Sequence, residues 1–170
     1  MTFPEIIAFF GSGNFLAYLG AGLAVILPGI GSAKGVGMVG QAAGGVITED
    51  PNKFGQLLVL QAIPGTQGIY GFLIGFIVML QTGMLSGTMG ALTQISGASI
   101  LAASLPIAFV GMISAIHQAR VSVAGVGIVA KRPDQVSKAM IAAAMVETYA
   151  ILSFLISMLM VFNVQIERVV

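Results

Sequence analysis

The chain of 170 residues contains no cysteine, a single histidine and few charges, and each shortage removes a class of function. Without cysteine there are no disulfides, thiolate metal sites or cysteine nucleophiles. One histidine rules out a multi-histidine metal centre. Charged residues make up 8% of the chain, where a soluble domain carries about a quarter. The formal net charge of +1 gives no reason to invoke nucleic acid as a partner. No phosphate loop and no nucleophile–base constellation can be found, so no catalytic site is expected. Basic residues are missing ahead of Lys34, so the apolar N-terminal stretch lacks the positive leader of a cleaved signal and is expected to remain as a helix.

Apolar sequence is what the chain has in abundance: 57% of residues are hydrophobic and the mean hydropathy is +1.02. Stretches of about 20 apolar residues span a bilayer, and four are present, at 15–47, 54–80, 98–130 and 137–162. The predicted fold is an all-α membrane protein of four transmembrane helices. Thr48-Glu-Asp-Pro-Asn-Lys53 and Lys131-Arg-Pro-Asp-Gln135 separate the helices of each pair with charges and a proline. Between the pairs lies the uncharged, glycine-rich stretch 81–96. Lys53, Lys131 and Arg132 place both proline loops on the cytoplasmic side of the cell membrane, and both termini on the other.

Sliding the chain by 82 residues superimposes it on itself. Gly29 meets Gly111, Ser32 meets Ser114, Val39 meets Val121, Pro51 meets Pro133, Thr66 meets Thr148 and Phe72 meets Phe154. The chain is therefore one membrane domain, 1–170, built from a first hairpin repeat, 12–85, and a second, 94–167. With the proline loops on one side, the hairpins are parallel copies and not inverted repeats. They differ where Glu147 aligns with Gly65.

Glu147 is a lone carboxylate in an apolar run, and at mid-bilayer depth a bare charge costs about 2.5 kcal/mol or more. It therefore needs a proton, a cation or a function. Gln67 is 14 residues from Lys53, Gln118 is 13 from Lys131 and Glu147 is 13 from Asp134, so all three lie roughly 20 Å from the helix ends at the loops. Thr66 adjoins Gln67, and Tyr70 shares its helix face. These are hard oxygen donors with one negative charge, which suits Na+. Pro64 should loosen its helix and free carbonyls such as that of Ile63. Alternatively, Gln67 and Gln118 are interhelical hydrogen-bonding residues. The glycine-dense run 29–45, with Gly31/Gly35 and Gly40/Gly44 at four-residue spacing, suits close helix packing in a ring of copies. Lys34 and Arg120 read as interfacial or lumen-facing charges, and His117 as a packing or ring-interior residue.

Four segments resemble the proteolipid subunit of V-type ATPases, and most of all its bacterial sodium-pumping form, subunit K. They are Gly31-Ser-Ala-Lys-Gly-Val-Gly37, Pro64-Gly-Thr-Gln-Gly-Ile-Tyr70, Ala103-Ser-Leu-Pro-Ile-Ala-Phe109 and Ala144-Met-Val-Glu-Thr-Tyr-Ala-Ile151. The likeness covers about 16–163, leaving 1–14 and 165–170 without an assigned role. It implies a homo-oligomeric rotor ring in membrane lipid, turned by ATP hydrolysis in a separate head. It also implies a stator membrane subunit, and central-stalk subunits meeting the loops 48–53 and 131–135. It further implies a Na+ site made of the Ile63 carbonyl, Thr66, Gln67, Gln118 and Glu147, with Tyr70 hydrogen-bonded to the glutamate. Na+ bound there would neutralise the carboxylate and let it pass lipid, with protons competing as pH falls. A proton-carrying ring differs only in the ion. A stand-alone channel would need a polar stripe along a helix, whereas here the polar groups gather at one depth.

Overall fold

Residues 2–169 are described by a computed structural model, and among them helices dominate. A short α1 (Phe3–Phe10) precedes α2 (Gly13–Glu49), α3 (Phe54–Ala62) and α4 (Thr66–Thr82), and the second half consists of α5 (Gln94–Lys131) and α6 (Val136–Asn163). Four spans are long and apolar enough to cross a membrane: α2, the α3–α4 segment, α5 and α6. The α2 helix of 37 residues is roughly 55 Å long at 1.5 Å per residue.

Helix boundaries follow local chemistry. Glycine at Gly11 ends α1, and the Ser12 hydroxyl accepts Phe15 N–H to start α2. The N-terminal stretch, expected to be retained as a helix, is thus helical but divided at Gly11–Ser12 into α1 and the start of α2. At the proline loops, Asp50 accepts Asn52 N–H at 3.1 Å, and this bond holds its carboxyl below the usual carboxylate range. Lys53 Nζ donates to Ala130 O at 2.8 Å, tying the first loop to the end of α5. Pro64 does break its helix: Ile63–Gly65 is a 3-10 turn between α3 and α4. In the connection between the hairpins, Gly83, Gly87 and Gly90 have φ of 81°, 69° and 65°, which glycine alone adopts cheaply.

The α2 and α5 helices pack backbone to backbone. A Cβ on Gly31 would stand 2.5 Å from Met112 O, and one on Gly13 would collide with Thr93 O. On the α2–α4 side a Cβ on Gly71 would collide with Ala24 O. The glycine run of α2 is thus divided between two uses. Gly31 is consumed by α5, and Gly35 by both α5 and the Pro64 turn, within the chain, where ring packing was expected, whereas Gly29, Gly37, Gly44 and Gly45 face open space. At the rim opposite the loops, Asn14 grips the connection through Gly90 O (2.8 Å) and Leu92 N (2.7 Å). The C-terminal tail bridges the same connection at Leu92↔Arg168.

Two apolar cores result. One, near the terminal rim, contains Ala17, Ala24, Ile74, Val78, Ile100 and Ile107. The other, near the loops, contains Val39, Leu57, Leu60, Val126, Val129 and Ala139. Between their levels run Ser32, Gln67, Ser114 and Gln118, all buried. Outward, Phe72, Ile141, Met145, Leu152 and Leu159 are exposed, the surface of a chain bordered by lipid or further copies. Close packing at Gly71 predicts that Gly71→Ala lowers the melting temperature of the detergent-purified protein, at a cost of about 1–3 kcal/mol. Gly55→Ala, where a Cβ would meet nothing within 4 Å, should melt like wild type; equal melting of the two variants would contradict this packing.

Candidate functional site

The site lies where the Pro64 break in the first hairpin faces α5 and α6 of the second. From the first hairpin, the Thr66 hydroxyl donates to Ile63 O at 3.0 Å and lies 3.4 Å from Gln67 Oε1. Gln67 Nε2 then crosses to α5 and donates to Gln118 Oε1 at 2.6 Å. Gln118 Nε2 in turn donates to Ala143 O at 3.1 Å and Glu147 Oε2 at 3.3 Å, both on α6. Tyr70 closes the arrangement from α4, its hydroxyl donating to Glu147 Oε1 at 2.7 Å. All six residues singled out from the sequence therefore belong to one hydrogen-bonded chain across three spans.

Burial makes the network costly to leave incomplete. Gln67 and Gln118 are both 0% exposed, and an unpaired buried amide costs about 1–3 kcal/mol. Both carboxylate oxygens of Glu147 have a donor. Phe154 flanks the Tyr70 ring at 5.4 Å between centroids, restricting the phenol's swing. Gln118 uses its amide nitrogen and its oxygen on neighbours, while Gln67 Oε1 has only the long contact to Thr66. The oxygens gathered are a peptide carbonyl, a hydroxyl, two amide oxygens and a carboxylate. That donor set fits a hard monovalent cation and suits a softer transition metal poorly. Among the described residues no three His, Cys, Asp or Glu side chains come together.

Other residues take different positions. His117 takes no part in the hydrogen-bonded chain and lines an apolar cavity of about 350 Å³ with Val110, Ile113, Ser114, Val146 and Tyr149. Lys34 and Arg120 are exposed on α2 and α5. Two residues beside the site went unassigned in sequence reasoning. Ser32 Oγ accepts Gly68 N–H at 2.9 Å, and Ser114 Oγ donates to Val146 O at 3.1 Å. Their signal was present: they are the same position in the two repeats, and Ser114 is one helical turn from Gln118.

Comparison with known proteins agrees with this architecture. The family model for the ATP synthase C-subunit matches the chain twice, over residues 19–78 and 101–160, the second match starting 82 residues after the first. V-type sodium ATPase subunit K of Enterococcus hirae is 50% identical over 151 residues, covering 89% of this chain and 93% of that protein. A-type ATP synthase subunit K of Methanocaldococcus jannaschii is 39% identical over 149 residues, covering 88% of this chain and 63% of that protein. The chain belongs to the ATP synthase C-subunit family, the non-catalytic membrane proteolipids of ion-translocating rotary ATPases.

Proposed function

We propose that this chain carries Na+ in the rotor ring of a V-type ATPase, with Ile63 O, Thr66, Gln67, Gln118 and Glu147 as ligands and Tyr70 orienting the carboxylate. The observation that carries this reading is that these groups, from three spans, form one hydrogen-bonded chain that ends on a half-buried carboxylate. Each hairpin, 12–85 and 94–167, is one repeat of a unit that multiplies around the ring, and Gly29, Gly37 and Gly44 offer the neighbouring copy a close approach. The proline loops 48–53 and 131–135 lie on the cytoplasmic side, where their lysines and arginine fit the positive-inside rule. They offer central-stalk subunits one continuous end, joined by Lys53.

The chemistry is a balance of charge. A bare Glu147 is held away from lipid by several kcal/mol, and a bound Na+ cancels its charge so that the site can rotate through the membrane. At the stator, a fixed cationic group competes for the carboxylate and releases the ion. Each ion moved against 100 mV costs about 2.3 kcal/mol, which ATP hydrolysis supplies. Protons and Na+ compete for the same oxygens, so more Na+ is needed to fill the site as pH falls.

Carbodiimide labelling of Glu147 in the detergent-purified ring tests this. Na+ should protect and K+ should not, with the half-protecting Na+ concentration rising on acidification. Labelling that responds to pH alone would make this a proton rotor. Tyr70→Phe removes one hydrogen bond to the carboxylate and should raise the half-protecting Na+ concentration about two- to tenfold. Gln67→Ala removes a ligand and should weaken binding further; wild-type titrations in both variants would remove these residues from the site.

A further inference from the structure

Ser32 and Ser114 occupy equivalent positions, 82 residues apart, and each sends its hydroxyl out of its own helix into the helix that carries half of the site. Ser32, on α2, accepts from Gly68 N, the residue after Gln67 and four after Pro64. Its helix approaches the broken turn closely, since a Cβ on Gly35 would stand 2.9 Å from Pro64 Cβ. A proline removes a helix donor and displaces its neighbours, so this external acceptor gives the α4 start a fixed anchor beside Thr66 and Gln67.

Ser114 does the complementary work on α6. It donates to Val146 O at 3.1 Å, while Gln118, one turn along α5, donates to Ala143 O at 3.1 Å. Two donors one turn apart thus grip the turn of α6 that ends at Glu147. Sliding α6 along α5 would break both bonds together. The register they hold is the one in which Glu147 meets Gln118 and Tyr70.

We propose that Ser32 and Ser114 are positioning residues for the ion site, a pair inherited from the duplication and turned to opposite uses: one accepts to hold the ligand turn of α4, the other donates to hold the carboxylate turn of α6. This rests on the Na+ reading above. Neither serine touches Glu147; each acts through the backbone adjoining the ligands.

The test is the Na+ concentration that half-protects Glu147 from carbodiimide, measured in purified rings of Ser32→Ala, Ser114→Ala and two controls. Ser157 also bonds between helices, accepting Ile107 N at 3.1 Å, but lies ten residues from Glu147. Ser104 is a fully buried hydroxyl bonded within its own helix to Ile100 O. Ser32→Ala and Ser114→Ala should each raise the half-protecting concentration about three- to tenfold, and both controls should stay within about twofold, the scatter expected of sites that do not couple. A shift of equal size in Ser157→Ala reduces the serines to general helix glue and overturns the proposal. So do unchanged titrations in both site variants while wild type is protected by Na+. A wild-type ring that Na+ fails to protect overturns the Na+ reading itself and this proposal with it. Where an alanine ring fails to assemble, the threonine variant at that position, which keeps the oxygen, is titrated instead. Threonine rings that bind like wild type support the role, and a loss as large as that predicted for alanine overturns it.

Discussion

One carboxylate at mid-bilayer depth is the constraint around which this chain is arranged. Lipid offers no hydrogen bonds, so whatever stabilises Glu147 must come from protein. The chain meets that demand with a polar layer confined between two apolar cores. Within it, Gln67 donates to Gln118, and Gln118 in turn donates to the carboxylate. A half-satisfied network in such surroundings is worse than an apolar core, which is why the layer contains a complete relay from Ile63 O to Tyr70 and not an isolated acid. Small residues make this geometrically possible. Gly31, Gly35 and Gly71 let α2 approach α5 and α4 closely, so that short side chains such as Ser32 reach across.

The duplication explains how one site is drawn from two like halves. At equivalent positions the repeats carry Pro64 and Val146, Gly65 and Glu147, Gln67 and Tyr149. The first hairpin gave up a regular helix for the 3-10 turn at Ile63–Gly65 and contributes the hydroxyl, the amide and the phenol. The second kept a continuous α6 and contributes the acid, with Gln118 of α5 as the relay between them. Since a parallel pair places equivalent residues at one depth, divergence alone could turn two packing positions into a donor wall and an acceptor wall. No change of topology was required.

Much of this was readable from the chain because membrane proteins obey few rules strictly. Twenty-residue apolar runs, loop charges and rise per residue set the spans and brought Gln67, Gln118 and Glu147 to one level. Pro64 announced its own break. What stayed hidden depended on rotation about helix axes and on which neighbour a small residue meets. Spacing could not say that Gly31 and Gly35 meet α5 while Gly37 and Gly44 stay open, since the two sets differ only in azimuth around α2. Nor did periodicity reveal the bridge of the tail at Arg168 to Leu92, a pairing too short to leave a pattern. Helix was expected at the N-terminus, but not the break at Gly11–Ser12 that sets the eight-residue α1 apart from α2, since apolar content alone does not mark where one helix caps and the next begins.

The geometry also bears on how fast such a site can load under the Na+ reading. Donors at both carboxylate oxygens hold Glu147 in place without cancelling its charge, so they order the carboxylate but do not free it to enter lipid. Filling the site asks the Thr66 hydroxyl, which donates to Ile63 O, to present a lone pair to the ion, and Gln67 Oε1 to exchange a 3.4 Å contact for a ligand bond. Both are side-chain adjustments, expected within nanoseconds to microseconds, far below the timescale of helix movement. The backbone that frames them is already fixed by Ser32, Ser114 and the paired glutamines. A site so preorganised loses little on binding. Under that reading, exchange is limited less by rearrangement of the site than by access to it from either side of the membrane.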